Sequence, residues 1–98
     1  MPEVSRFLGI LIFLYYKDHP PPHFHAQYGK HAAQIDIRTL EVIAGSLPRP
    51  QLALVLAWGF LRQRELMQAW EAVSNDKRPG RIAPLDGGKK KGGKGGKK

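Results

Sequence analysis

Hydrophobic and polar positions change period twice along the chain, and each change marks a change of element. The run FLGILIFLYY, residues 7–16, is apolar at both parities and rich in Ile, Phe and Tyr. That pattern suits a strand covered on both faces, with Gly9 as its weak point. Pro20, Pro21 and Pro22 stop regular structure, because each lacks an amide donor and restricts the residue before it. HFHAQY then resumes an extended pattern, with Phe24 on one face and His23 and His25 on the other. Gly29-Lys30 reads as a turn into HAAQIDIRT, where Ile35 and Ile37 alternate with Asp36 and Arg38 as in a strand with one wet face. LEVIAGSLP makes a further short strand that Gly45 and Pro48 end.

From Pro50 to about Ser74 the period is helical, and Pro50 fits a first turn where its missing donor costs nothing. At ~100° per residue Leu52, Val55, Leu56, Leu66, Met67, Trp70 and Val73 share one face, while Leu54, Trp58 and Leu61 fall on a second. The first face predicts packing on the sheet. The second needs another cover, either a homodimer that buries Leu54, Trp58 and Leu61 or a strand or loop folded over it. Asn75 to Gly80 is a polar stop, and RIAPL a final edge strand where Pro84 is tolerated. The expectation is one α+β domain over residues 1–86. It comprises a small antiparallel sheet of three to five strands packed on one long or kinked helix.

Charge changes the picture only at the end of the chain. The 98 residues hold 16 Lys+Arg against eight Asp+Glu, a formal net charge of +8. Residues 87–98, GGKKKGGKGGKK, carry six of those cations and no acid, so the body before them is nearly balanced. Gly and Lys alone bury nothing, which predicts a disordered basic tail. Lys89, Lys90, Lys91, Lys94, Lys97 and Lys98 could contact nucleic-acid phosphates without reading sequence; a merely solvated tail is the plain alternative. Cysteine is absent, which excludes disulfides, thiol nucleophiles and thiolate metal sites. The ten-residue apolar run is short of the ~18 needed to span a membrane, and no small-residue cleavage pattern follows it. A soluble cytoplasmic protein without membrane contact is the resulting expectation.

Candidate chemistry is concentrated in DHPPPHFH. His23 and His25 point to one side of a strand, and His19 can fold back across the prolines toward them. His19, His23 and His25 could together hold a divalent metal, zinc or a similar ion, with Asp18 as an oxygen ligand or a group that orients an imidazole. Stiff prolines lower the entropy lost in holding such a site together. An ordinary packed turn and an organic ligand site remain the alternatives, and no nucleophile or glycine-rich phosphate loop lies nearby. Tyr15, Tyr16, Phe24 and Tyr28 flank the histidines. In a sheet such aromatics more often fill the core or pair across strands than stack on bases.

PEVSRFLGILIFLYYKDHPPPHFHAQYG, IDIRTLEVIAGSLPRPQLALVLAWGFLRQRELMQAWE and RIAPL together resemble a family of small bacterial proteins catalogued as domain of unknown function 4160. The resemblance covers about residues 2–85, and DHPPPHFHAQYG is its most specific piece. It implies a compact α+β domain of unassigned activity. Its genes often lie beside that of another small protein, which implies a neighbour-encoded partner and a regulatory role in a toxin–antitoxin-like pair. The enzyme alternative is a metal-dependent hydrolase or nuclease. The family motif falls here on Asp18, His19, Pro21, Pro22, His23, Phe24, His25 and Tyr28, so Asp18, His19, His23, His25 and Tyr28 form the expected ligand or partner surface. The Gly/Lys tail departs from the family pattern.

Overall fold

A computed structural model describes residues 1–85. The expected basic tail, its six lysines and the boundary at residue 86 lie outside the described residues. Five strands, β1 (Glu3–Phe7), β2 (Ile10–Phe13), β3 (His23–Tyr28), β4 (His31–Asp36) and β5 (Val42–Ser46), are followed by helices α1 (Arg49–Leu61) and α2 (Gln63–Ser74). The strands form one antiparallel meander in the order β1-β2-β3-β4-β5. This is an α+β fold.

The first apolar run is two strands rather than one. Leu8 and Gly9 both have positive φ, 52° and 81°, the signs of the two-residue type I′ turn whose twist matches antiparallel strands. Gly9 therefore turns the chain where the sequence pattern expected a continuous strand. Ile10 and Ile12 of β2, and Leu14 just after it, are fully buried, so alternation reappears once the run is divided. A second glycine is fixed by close approach. At Gly45, φ 72°, an added Cβ would collide with the carbonyl oxygen of Ala32.

The helical stretch is likewise divided. Arg62 leaves helical geometry at φ −118°, ψ 20°, and its N–H is shared between the carbonyls of Trp58 and Gly59. Two helices, divided at Arg62, stand where one long or kinked helix was expected. Val55, Leu66, Trp70 and Val73 are buried in the core as expected. Trp58 is not on a free second face. Its ring is fully buried beside Phe7 and Phe24, and its indole N–H donates to the carbonyl of Ala83 at 2.8 Å. The core-facing stripe of α1 is wide enough to take both Val55 and Trp58, which lie three residues apart, and Leu54 packs on the same core. A dimer that buries Trp58 between subunits is thereby excluded, while Leu61 stays exposed. RIAPL forms no strand; it follows β1 through one backbone bond, Ile82 N–H to Val4 O at 2.8 Å.

Parity along β3 separates two environments. Phe24 and Ala26 point into the core shared with the helices, and both are fully buried. His25 and Gln27 point to the other side, opposite Gln34 and Ala32 of β4, while His23, opposite Asp36 at the start of the strand, is buried beside Trp70 of α2. The β2–β3 connection that delivers Asp18 is tied to α2 by Lys17 N–H donating to Val73 O at 2.9 Å. Polar and core-packing side chains therefore alternate along one strand.

Candidate metal centre

Asp18, His23 and His25 converge although two of them come from a strand and one from the loop before it. Asp18 Oδ2 lies 2.9 Å from His23 Nε2 and 3.4 Å from His25 Nε2. One ligand atom from each of the three residues falls within 4.8 Å of the others. Ions bound at ~2.1 Å by ligands roughly 90–110° apart hold those ligands about 3.0–3.4 Å from one another. The separation to His25 falls within that spacing, and the one to His23 is slightly shorter, at a hydrogen-bond distance.

The orientation of His23 is fixed from behind. Its Nδ1 lies 2.7 Å from the carbonyl oxygen of Pro21, and since a carbonyl only accepts, Nδ1 carries the hydrogen. In the neutral ring Nε2 then presents a lone pair toward the Asp18 carboxylate, also an acceptor. Two lone pairs 2.9 Å apart require something positive between them, a proton or a metal ion. A ligating histidine commonly donates its second nitrogen to a backbone carbonyl in this way. The proline run thus contributes more than stiffness: Pro21 supplies the oxygen that selects the tautomer.

Packing holds both rings. The ring of His25 stacks on Phe13 with centroids 5.1 Å apart, and Tyr15 meets it edge-on at 4.7 Å. His23 is buried and lies 5.3 Å from Trp70 of α2. Burial pushes the Asp18 carboxyl up. The His19 backbone N–H, the hydrogen bond with His25 and the charges of His23 and His25 outweigh it, leaving the group below its ordinary value. Burial pushes His25 down, and the hydrogen bond with Asp18 only partly restores it. An ionised carboxylate and a neutral imidazole are the states that a cation requires.

His19, the remaining expected ligand, sits on the other carboxylate oxygen: its Nδ1 is 3.2 Å from Asp18 Oδ1, and its side chain is 87% exposed. It borders the cluster without joining the convergent set. Tyr28 is placed elsewhere, since three residues after His25 it packs against the core on the helix side. His31, paired with Tyr28, is exposed at the far end of the same hairpin. Sequence reasoning gave Phe13 and Trp70 no part in the site. The register Phe13↔His25 and the packing of α2 bring them in, and neither is visible in a single-strand pattern.

Fold and site together define a five-stranded meander, backed by two helices, that carries a two-histidine, one-carboxylate cluster at the entry to its central strand. The chain belongs to the family described as Domain of unknown function (DUF4160), whose family model matches residues 9–71 and so includes the whole cluster. No curated protein and no solved structure matches the chain. No helix among the described residues is long and apolar enough to cross a membrane.

Proposed function

We propose that the protein binds one divalent transition-metal ion through Asp18, His23 and His25, and that this ion is the seat of its activity. The observation that carries the reading is His23, anchored through Nδ1 on Pro21 O and aimed through Nε2 at the Asp18 carboxylate. Two imidazoles and one carboxylate favour zinc, iron, cobalt or nickel over magnesium or calcium, which prefer all-oxygen sites. Three protein ligands leave at least one position for water, whose pKa a bound ion such as zinc lowers. Metal-dependent hydrolysis is the corresponding enzyme reading. The test is isothermal titration of the full chain with Zn²⁺ and Mg²⁺, alongside hydrolysis of an activated phosphodiester. One zinc per chain, absent from H23Q/H25Q, supports the metal reading, and zinc-dependent turnover supports the hydrolase. Equal zinc binding by the double variant would overturn both.

A second reading, an interaction or regulatory protein in a toxin–antitoxin-like pair, draws on a different region. Every residue of β5 is exposed, its sequence VIAGS has no charge or proline to guard a sheet edge, and its outer side is unpaired among the described residues. Such an edge accepts an extended strand from a partner. Coexpression with the product of the adjacent gene should then give a complex that I43K disrupts. Self-pairing of β5 would instead appear as a dimer of the chain alone.

A further inference from the structure

The N-terminal residues and the segment after α2 enclose a cleft of about 390 Å³ lined by Met1, Pro2, Glu3, Tyr16, Arg78, Pro79 and Arg81. Its guanidinium groups are not equivalent. Arg81 is held in place, with Nη1 donating to the carbonyl oxygen of Glu3 at 3.1 Å and to its carboxylate at 3.0 Å. The same carboxylate accepts from Arg6 at 2.9 Å, so the charge of Glu3 is shared between two cations. Arg78 is exposed and has no ion-pair partner among the described residues. The backbone around these groups is fixed. Pro79 is buried, Ile82 N–H is bonded to Val4 O, and Lys77 N–H closes on Ala72 O at 2.8 Å. Arg78 and Arg81 line the cleft against the single carboxylate of Glu3, and both also border a neighbouring pocket that Glu65 lines.

We propose that this cleft binds a phosphate group, with Arg78 as its principal ligand, Arg81 as a second donor edge and Tyr16 as a wall against which an attached base or sugar can lie. A guanidinium presents planar paired donors that fit phosphate oxygens, and an arginine already immobilised by a carboxylate loses little freedom on binding. Tyr16 is partly exposed, as a stacking surface must be. The cleft is independent of the metal reading: its lining shares no residue with Asp18, His23 and His25. A free nucleotide and the backbone of a single-stranded nucleic acid offer the same group, and the chain continues beyond the cleft into GGKKKGGKGGKK, whose lysines would add contacts only to the polymer.

Fluorescence titrations of the full chain with a labelled nucleoside monophosphate and with a labelled twelve-nucleotide single strand test the proposal. Parallel titrations use R78Q and a chain with the six tail lysines changed to glutamine. Arg78 is exposed, so R78Q should melt like the wild type. It should bind the nucleoside monophosphate and the oligonucleotide about tenfold more weakly. For the oligonucleotide it should also flatten the log–log salt dependence by about 0.7, the slope that one neutralised phosphate of a single strand carries. Mononucleotide binding that depends on Arg78 and ignores the tail identifies a small phosphorylated ligand. Oligonucleotide binding weakened by both changes identifies a polynucleotide. Unchanged binding of both probes by R78Q, or oligonucleotide binding abolished only by the tail substitutions, would overturn the proposal.

Discussion

The two sides of β3 carry the same backbone and opposite tasks. On the helix side Phe24 is fully buried, with the ring of Trp58 5.8 Å away in an edge contact, and tolerance there is set by volume. On the other side His23 and His25 are held by specific polar partners at 2.7, 2.9 and 3.4 Å, and tolerance is set by donor and acceptor identity. The one-residue alternation therefore sets apolar packing positions against polar ones, with His23, buried beside Trp70, at the junction of the two. Substitutions on the two sides should fail differently.

The largest effect is expected on the packing side. Phe24→Ala leaves a cavity under Trp58 and should cost about 3–5 kcal/mol, much of the stability of a domain this small. Urea denaturation checks it: the midpoint should fall steeply, or the protein should be unfolded in buffer. On the polar side Asp18→Asn should weaken zinc binding by more than about 100-fold, the upper range for loss of a merely supporting partner. Its midpoint without metal should move far less than that of Phe24→Ala. An Asp18→Asn protein that binds zinc normally would place the ion elsewhere.

Acid should act on the polar side first. For Asp18 and His25 alike the folded pKa lies below the ordinary value, so the unfolded chain takes up protons first as the pH falls. The contribution of His25 is fully present above about 6.5 and is lost as the pH falls from there through its lower folded value. That of Asp18 is present above about 3.9 and is lost below it. The metal-free protein should melt lower at pH 5 than at pH 7.5, and His25→Gln should remove part of the difference. An undiminished pH dependence in His25→Gln would assign it to other groups. The smallest effect is at Ser5, whose buried hydroxyl has no hydrogen-bond partner among the described residues. Ser5→Ala should leave stability unchanged or raise it by about 1 kcal/mol, read from the same urea midpoint.

Much of this separation is legible in the sequence. HFHAQY fixes the parity of His23, Phe24 and His25, and VIAGS and HAAQID announce their strands. Periodicity failed where local geometry intervenes. Gly9 reads as a blemish in one apolar run because a pattern of hydrophobic residues carries no φ angle. Arg62 reads as part of a continuous helix because its non-helical φ leaves no mark on composition. At the site, the proximity of His19 to Asp18 follows from adjacency, but the convergence of Asp18 on His23 and His25 depends on the path of the proline loop. The Pro21 carbonyl that orients His23 is a backbone atom, which no residue pattern can name. Phe13 and Trp70 enter through strand register and helix docking, both of them long-range consequences of the fold.

The central claim is that His23 and His25 ligate through Nε2 while the Nδ1–H of His23 remains on Pro21. Two-bond ¹H–¹⁵N spectra of the histidine rings, recorded on the metal-free full chain and after one equivalent of Zn²⁺, read each nitrogen separately. The account predicts that the Nε2 resonances of His23 and His25 shift together and saturate at one equivalent, with His23 Nδ1 protonated throughout and His31 unmoved. Ring nitrogens of His23 and His25 that do not respond to zinc, or a His23 that binds through Nδ1, would contradict it.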